Sequence, residues 1–327
     1  MKCLVTGQSG LIGSHLVDLL LKNGHEVYGI SRTNRNKIPG SRNFCLDLRD
    51  TKKARETIEL IAPEVVFALA ANAAEGKSFF SPIEISTSCI DTFFNTLVPS
   101  IRTRKLKRFV FTSSIAVYGS IPTPFKESNN PQPKDIYGIS KLTAEKALKV
   151  MSQVYGFEYV IVRPHNVFGP RQNMSDPYRN VVTLFMNQIL KNEPYVIYGN
   201  GEMKRCFSYI DEVVEIIHRC GFEDVAGMIF NVGSNLSWSI NELSAAIQKI
   251  TRSKVKPTYL PERVNEVQQA ISDHSLLERV FGYNDTPLEV ALRRTWKWAK
   301  AQGPQKYKFT RLELSHPHVP KNWKSRA

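Results

Sequence analysis

Short apolar runs alternate with amphipathic stretches of helical periodicity along the first half of the chain. The apolar runs predict strands over residues 2–6, 26–30, 43–46, 64–69, 108–112 and 159–163. The amphipathic stretches predict helices over residues 15–23, 51–61, 83–105 and 136–155, with a break in the third near Pro99. Because strands joined through helices pair in parallel, the alternation predicts an α/β fold, a doubly wound parallel sheet with helices on both faces.

The pattern loosens after residue 165. Further helices are predicted over residues 180–190, 240–250 and 287–301 and from residue 211, with short strands at 195–198 and 228–232. No repeat or low-complexity linker separates this part, which predicts a smaller, interleaved α/β substrate domain. We expect a first domain at residues 1–165, to which residues 205–235 return, and a second at residues 166–204 and 236–327. The aromatic and basic segment from Pro304 is expected to wrap over the surface or form an interface.

The basic residues of the chain are widely scattered. The 327 residues have a formal net charge of +14, with local groups only at residues 102–108 and after Lys297. Nucleic-acid-binding proteins concentrate such charge in a patch or stripe, so the distribution argues against a nucleic-acid partner. A diffusely basic surface favours a small substrate that carries a diphosphate.

Cysteine usage and hydropathy indicate a cytoplasmic protein. Five cysteines without a CxxC pair suggest neither a disulfide framework nor a zinc site, so no metal is expected. There is no apolar run long enough for a membrane span and no signal-peptide pattern at the N-terminus. We therefore expect no membrane partner.

The first predicted strand ends in the turn Gly7-Gln8-Ser9-Gly10-Leu11-Ile12-Gly13, and a helix follows. Strand, glycine turn and helix is the context that a dinucleotide-binding fingerprint requires. The glycines let backbone amides approach a pyrophosphate, and the helix N-terminus adds a partial positive charge. Gly7, Gly10, Leu11, Ile12 and Gly13 are therefore candidate cofactor-binding residues.

The ends of the next strands carry further candidates for cofactor binding. An acid at the end of the second strand would accept a ribose 2′-hydroxyl, whereas Ser31 followed by Arg32 favours a 2′-phosphate. The cofactor is therefore NAD or NADP, with NADP favoured by this pair. Asp47 and Leu48 follow the third strand, where the carboxylate could meet the adenine amine, and Leu69 ends the fourth.

A tyrosine and a lysine share one face of the helix predicted at residues 136–155. Tyr137 and Lys141 are four residues apart, which places the phenol and the ammonium side by side. A tyrosine used as a base needs a nearby cation to lower its pKa from about 10, and Lys141 is placed to supply one. Ser113 and Ser114 follow a central strand, whose end faces the ligand crevice of such sheets, although serines there also cap turns.

Five motifs stand in register over about the first 300 residues. They are TGxxGxIG from Thr6, TSSxxVYG from Thr112, YGxSK from Tyr137, RPxNVFGP from Arg163 and RxFSYIDE from Arg205. Together they resemble the extended short-chain dehydrogenase/reductase family, and within it the nucleotide-sugar epimerase/dehydratase branch, whose members include UDP-glucose and UDP-N-acetylglucosamine 4-epimerases. The resemblance implies a Rossmann-type cofactor domain.

The resemblance also implies roles for single residues. Tyr137 corresponds to the base, Lys141 to the lysine that holds the nicotinamide ribose, and Ser114 to the serine that hydrogen-bonds the reacting hydroxyl. Asn166 corresponds to the asparagine that faces the pyrophosphate, and Arg205 to a phosphate-binding arginine. Arg263 begins a sequence similar to the RxxD/E that contacts the nucleotide ribose and diphosphate.

The residues after the serines distinguish activities within the branch. Dehydratases carry an Asp-Glu pair there and glucuronate decarboxylases a Glu, whereas this chain has Ile115 and Ala116. That resembles the 4-epimerases, which implies a nucleotide-sugar 4-epimerase acting on a UDP-hexose. Tyr137 would take the proton of the 4-hydroxyl while hydride leaves C4, and hydride would return to the other face of the rotated ketosugar.

Two alternatives remain open at this point. Epimerases usually have an Asp where Ser31 and Arg32 stand, so an NADP-dependent reductase of a nucleotide 4-keto-6-deoxysugar is the first. A non-catalytic dinucleotide-sensing scaffold is the second. By resemblance, we expect a homodimer built from the helices near residues 83–105 and 138–155.

Overall fold

The structure is a computed structural model that describes residues 1–33, 35–36 and 38–323. Its strands are β1 (Lys2–Thr6), β2 (Glu26–Ser31), β3 (Arg42–Cys45), β4 (Val65–Ala68), β5 (Arg108–Thr112), β6 (Glu158–Pro164), β7 (Val167–Phe168), β8 (Val196–Tyr198), β9 (Lys204–Cys206), β10 (Ser208–Tyr209), β11 (Ile229–Val232), β12 (Ser237–Ser239), β13 (Thr258–Leu260) and β14 (Gln269–Ala270). Its α-helices are α1 (Leu11–Lys22), α2 (Thr51–Ile61), α3 (Glu75–Ser78), α4 (Pro82–Arg102), α5 (Ile136–Tyr155), α6 (Val181–Leu190), α7 (Ile210–Cys220), α8 (Ile240–Thr251), α9 (Ser275–Phe281) and α10 (Leu288–Gln302).

One seven-stranded sheet organises the molecule, in the order β11-β6-β5-β4-β1-β2-β3. All its neighbouring strands are parallel. Successive residues of β1 point to opposite faces, so Val5 packs in the cluster that contains Leu16 of α1, and Leu4 in the cluster that contains Leu97 of α4. These features confirm the predicted doubly wound fold. Strand order reverses at β1, between β2 and β4, and such a reversal marks the ligand crevice at the carboxyl ends of the strands.

The helices of the first half follow the sequence pattern closely. The bounds of α2 and α5 are those predicted. α1 begins at Leu11, earlier than predicted, because Gly10 of the glycine turn is its N-cap. α4 runs unbroken through Pro99, so the predicted break is wrong. Pro99 lies in the last turn, where its missing amide removes only one helical hydrogen bond.

Short elements dominate the rest of the chain. β7 pairs with β10, β8 with β13, and β9 with both β12 and β14, while β11 returns to the edge of the large sheet. α3, α9 and the strands β12 to β14 are absent from the sequence prediction, because each is too short to show a period. None of the helices in the described part of the chain has the length and apolar character needed to cross a bilayer.

A buried ion pair joins α5 to β6 behind the carboxyl ends of the strands. Arg163 Nε and Nη2 donate to the two carboxylate oxygens of Glu145 at 2.9 and 2.6 Å, and the two side chains are 3 % and 2 % exposed. The Ser113 hydroxyl donates to the same carboxylate at 2.5 Å. Arg163 Nη1 donates to the Tyr118 hydroxyl at 2.7 Å, and that hydroxyl donates to Asn231 Oδ1 at 2.8 Å. The network ties β5, β6, α5 and β11 together.

Two buried histidines link the end of β6 to the start of α9. The Nε2 atoms of His165 and His274 are 2.8 Å apart, and Nδ1 of His274 lies 2.8 Å from Asn235 Oδ1. Burial lowers the pKa of His165 well below its ordinary value and lowers the pKa of His274 to about 4. Both rings are therefore neutral in the folded protein at neutral pH.

Acid should destabilise the fold through this pair. The unfolded chain has ordinary histidine pKa values near 6.5, so between about pH 6.5 and 4 it binds protons that the folded chain does not. The free energy of unfolding should fall by up to about 1.4 kcal/mol per pH unit for each of the two histidines. Urea unfolding at several pH values should show a shallower decline for His274→Gln than for the wild type. The exposed His316 provides a control, because His316→Gln should keep the wild-type slope; an unchanged slope in His274→Gln would contradict the prediction.

Candidate active site

A cleft with a volume of about 1510 Å³ opens at the carboxyl ends of the large sheet. Every residue that the sequence singled out lines it. These residues are Gly7, Gly10, Leu11, Ile12, Gly13, Ser31, Arg32, Asp47, Leu48, Leu69, Ser114, Tyr137, Lys141, Asn166, Arg205 and Arg263. The fold therefore brings the predicted cofactor, catalytic and substrate residues into one cavity, while their individual roles stay predictions.

The glycine turn leaves backbone amides open at one end of the cleft. Gly7 has a φ of +72°, a conformation that favours glycine. A Cβ on Gly13 would lie 2.3 Å from the carbonyl oxygen of Gly7, so the turn and α1 approach more closely than a side chain permits. Gly10 is the N-cap of α1, and no side chain caps that helix. The free amides of the first turn suit an anion such as a pyrophosphate.

Two of the residues predicted to contact the adenosine, Ser31 and Asp47, already have partners within the chain. The Ser31 hydroxyl donates to the backbone carbonyl of Thr33 at 2.7 Å, and Arg32 is exposed. Arg49 Nε and Nη2 donate to Asp47 Oδ2 at 3.1 and 2.6 Å. This guanidinium lowers the pKa of Asp47, which stays a carboxylate.

Tyr137 and Lys141 lie in the first turns of α5. The helix begins there because the Asp135 carboxylate accepts a hydrogen bond from the amide of Gly138 at 2.8 Å. The Tyr137 and Lys141 residues are buried, at 4 % and 3 % exposure. Lys141 Nζ donates to the backbone carbonyl of Thr112 at 2.7 Å and lies 5.7 Å from the centroid of the Tyr137 ring.

The pKa of Tyr137 differs from the sequence expectation. Burial raises it well above 10, the charge of Glu75 raises it further, and the nearby Ser114 hydroxyl opposes the shift. Lys141 was expected to lower this pKa, but its ammonium is directed to the Thr112 carbonyl, and burial lowers the pKa of Lys141 itself. The expectation that Lys141 acidifies the phenol is wrong for this arrangement of side chains. Ser114, 6 % exposed, is the group in hydrogen-bonding reach of the phenol.

Two acids that the sequence analysis missed also line the cleft, Glu75 and Asp135. Glu75 is the first residue of α3 and is exposed to the cleft. Burial raises the pKa of Asp135 to about 7, and the charge of Glu75 adds to that shift. Asp135 could have been found as the N-cap of a helix that carries a tyrosine one turn inside it. Glu75 gave no signal, since it is a single acid in an alanine-rich stretch.

Arg205 and Arg263 meet at the opposite side of the cleft, where they share the carboxylate of Glu266. Arg263 Nε donates to Glu266 Oε2 at 2.6 Å, and Arg205 Nη2 donates to Oε1 at 3.1 Å. The Arg263 guanidinium also lies 4.8 Å from the centroid of the Tyr198 ring. Two guanidinium groups and one carboxylate leave a net positive charge, which suits a diphosphate. Asn166 borders the same cleft, and its amide donates to a backbone carbonyl of β9 at 2.9 Å.

The segment 304–323, which we call the C-terminal strap, forms one wall of the cleft. Trp323 is 5 % exposed and meets the ring of Phe80 edge-on. The neighbouring Asn322 accepts a hydrogen bond from the Tyr198 hydroxyl at 2.7 Å. The Glu313 carboxylate accepts hydrogen bonds from two amides in the first turn of α4 at 2.9 and 2.7 Å. The segment therefore wraps over the surface, one of its two predicted arrangements, and residues 324–327 lie outside the described residues.

Comparison with known families finds one family model that matches most of the chain. The model of the NAD dependent epimerase/dehydratase family matches residues 3–233. Among curated proteins, the UDP-N-acetyl-alpha-D-glucosaminuronate decarboxylase of Bacillus cytotoxicus is 28 % identical, over 91 % of this chain and 97 % of its own. The residues that the family model matches include the glycine turn, Ser114, Tyr137, Lys141 and Arg205.

Two solved structures resemble this fold closely. The UDP-glucose 4-epimerase of Thermotoga maritima, solved with UDP-glucose, is 30 % identical with a TM-score of 0.88, over 92 % of this chain and 99 % of its own. The UDP-glucuronic acid 4-epimerase of Bacillus cereus, in complex with UDP-glucuronic acid and NAD, is 26 % identical with a TM-score of 0.84, over 92 % of this chain and 100 % of its own. The similarity thus spans most of this chain and nearly all of each solved structure.

Proposed function

Since the chain belongs to the NAD dependent epimerase/dehydratase family, we propose that it interconverts a UDP-hexose and its C4 epimer. The observation that carries this proposal is that Ser114 and Tyr137 line the same cleft. This cleft reaches from the glycine turn to Arg205 and Arg263. A dinucleotide and a nucleotide diphosphate sugar can therefore lie end to end, with the sugar beside the phenol.

NAD is the cofactor that fits the proposed epimerisation. Of the two cofactors predicted, it is the one named by the family description and held by the Bacillus cereus neighbour. The uncapped amides of the α1 turn that follows Gly10 would hold its pyrophosphate, and Lys141 would face its nicotinamide ribose. Bound NAD supplies the hydride acceptor and donor that transient oxidation at C4 requires.

The chain's own residues handle the proton and the orientation of the sugar. Tyr137 receives the proton of the 4-hydroxyl and returns it after the sugar turns. Burial and Glu75 both oppose the phenolate, so Ser114 is the group in reach that stabilises it. Arg205 and Arg263 bind the diphosphate and hold the substrate while the hexose ring rotates.

The residues after the serines favour epimerisation over the other reactions of the family. Ile115 and Ala116 line the cleft beside Ser114 and carry no acid. The family resemblance implies that the dehydratases and decarboxylases of the branch carry an acid at this position. Without one, the 4-keto sugar has no group at that position to promote a further step, and return of hydride completes the reaction.

The test of the proposed function is turnover of UDP-glucose by purified protein without added dinucleotide. We expect UDP-galactose to accumulate to equilibrium, and mass spectrometry of the denatured protein to detect released NAD. Stoichiometric oxidation of NADPH by a nucleotide 4-keto-6-deoxysugar, with no epimerisation, would overturn the proposal and support the reductase reading instead.

Loss of the Trp323 ring should weaken binding of the UDP-hexose. The Trp323→Ala substitution removes the buried end of the C-terminal strap, so the wall of the cleft loosens, and we expect KM to rise about tenfold with a smaller effect on kcat. Leu314 is the matched control, because it lies on the same strap with 52 % exposure. Leu314→Ala should keep the wild-type KM, and a Trp323→Ala variant with unchanged KM would show that the strap does not contribute to the binding site.

We also infer that the protein is a homodimer formed through α4 and α5. The two helices pack together, and α5 carries an exposed apolar stripe at Ile139, Val150 and Val154, which are 46 %, 58 % and 66 % exposed. Ile83 and Val98 add exposed apolar side chains on α4. Light scattering should give twice the chain mass of 37.1 kDa, and a single-chain mass would contradict this.

We assign the enzyme to the cytoplasm. The five cysteines are free thiols, which suits a reducing compartment.

We assign the two predicted domains to cofactor and substrate. β11 pairs with β6 in the large sheet, which supports the return of residues 205–235 to the cofactor domain. β9 pairs instead with β12 and β14, so the return begins after this strand.

A further inference from the structure

Glu75 presents a carboxylate to the part of the cleft that lies between the phenol and the paired arginines. The preceding residue, Ala74, is buried in one cluster with Tyr137. The following residue, Gly76, packs so closely that an added Cβ would lie 3.0 Å from the Trp323 ring and 3.4 Å from Nη1 of Arg263. Since its two neighbours contact the proton carrier and the diphosphate site, Glu75 stands beside the position of the hexose ring.

The Glu75 carboxylate has no partner among the described residues, although several cations lie near it. Each of these cations is engaged elsewhere. Lys77 is 2.5 Å from Glu84, Arg179 is 2.9 Å from Asp176, and Arg263 is 2.6 Å from Glu266. The negative charge of Glu75 is therefore not neutralised by a side-chain contact in the described part of the cleft.

A second carboxyl group adds in part to the negative character of this position, because its pKa is raised to about 7. Asp135 lines the same cleft and caps α5 two residues before Tyr137. Ser114 and the phenol, the other polar groups beside it, are uncharged at neutral pH. A hexose at this position thus meets hydroxyl groups, the Glu75 carboxylate and a partly ionised Asp135.

We propose that Glu75 makes the sugar subsite selective for uncharged UDP-hexoses and excludes UDP-hexuronates. This inference rests on the proposed function, because it assumes that the cleft holds a nucleotide sugar. The carboxylate of Glu75 accepts hydrogen bonds from the hydroxyl groups of a neutral hexose. A uronate would place its carboxylate near that of Glu75, and the repulsion between the two like charges supplies the discrimination.

Calorimetric binding of UDP-glucose and UDP-glucuronate to the full chain tests this selectivity. We expect the wild type to bind UDP-glucose at least about tenfold more tightly, and the Glu75→Gln substitution to reduce that ratio by about tenfold. Glu75→Ala should reduce it similarly. Glu56 is exposed on α2 outside the cleft lining, so Glu56→Gln removes the same charge and should keep the wild-type ratio.

The outcomes separate this inference from the proposed function. Equal affinity of the wild type for the two compounds, or an unchanged ratio in Glu75→Gln, overturns the inference even if the protein epimerises UDP-glucose. The predicted ratios in a protein that does not epimerise support the inference and refute the proposed activity. A protein that binds neither compound overturns both.

Discussion

Replacing Tyr137 by phenylalanine should lower kcat by about 10³-fold, because it removes the one phenol placed to exchange a proton with the 4-hydroxyl. The ring that remains keeps its packing against Ala74, Ile85 and Cys89. We therefore expect the urea midpoint and the amount of co-purified NAD to stay near those of the wild type. The measurement is the rate of UDP-galactose formation from saturating UDP-glucose.

Tyr155 provides the matched control for this substitution. It lies at the end of the same helix and is 57 % exposed, so Tyr155→Phe should retain the wild-type rate. Full activity of the Tyr137→Phe variant would show that another group carries the proton, and would remove the main support for the mechanism.

Removing the Glu145 carboxylate should have the largest effect on stability. Glu145→Ala leaves the buried Arg163 guanidinium without its counter-charge and the Ser113 hydroxyl without its acceptor. Breaking such a pair from one side costs about 3–5 kcal/mol, a large part of the 5–15 kcal/mol that typically stabilises a domain. Urea unfolding of the purified protein measures the loss, and soluble yield reports it if the variant fails to fold.

Two further variants make this expectation specific. Glu145→Leu combined with Arg163→Met replaces both charges by apolar groups and should recover most of the loss. Glu59 forms an exposed ion pair with Arg102, whose side chain is 61 % exposed, so Glu59→Ala should cost less than about 1 kcal/mol. A Glu145→Ala variant as stable as Glu59→Ala would mean that the buried pair does not contribute as its burial and geometry indicate.

The sequence predicted the large sheet well because its strands are buried on both faces. β4 and β5 are buried along their whole length, and continuous apolar runs of that kind stand out from the amphipathic helices between them. The short strands β12 to β14 could not be found in this way. β12 and β14 depend on pairing with β9, which contributes only Lys204–Cys206 and has no apolar run of its own. β13 depends on pairing with another three-residue strand, β8.

The candidate site also contains both features with a local sequence pattern and features that depend on tertiary packing. The glycine turn and the Tyr137–Lys141 pair are local patterns, since each lies within a few residues, and sequence spacing alone indicated them. Glu75 and Trp323 reach the cleft through tertiary packing, which no local pattern encodes. The direction of the Lys141 ammonium belongs to this second group, because the carbonyl of Thr112 that it binds comes from a different element of the fold.

The C-terminal strap also governs how the cleft exchanges its contents with the surroundings. It is attached to the body at Glu313 and at Trp323, whereas the cofactor end of the cleft is built from the large sheet and α1. Residues 304–320 of the strap contain neither a strand nor a helix, so the strap opens at lower free energy than the sheet does. Opening of the strap would admit and release the nucleotide sugar while the dinucleotide stays in place. Release of the product would then be the step that limits kcat.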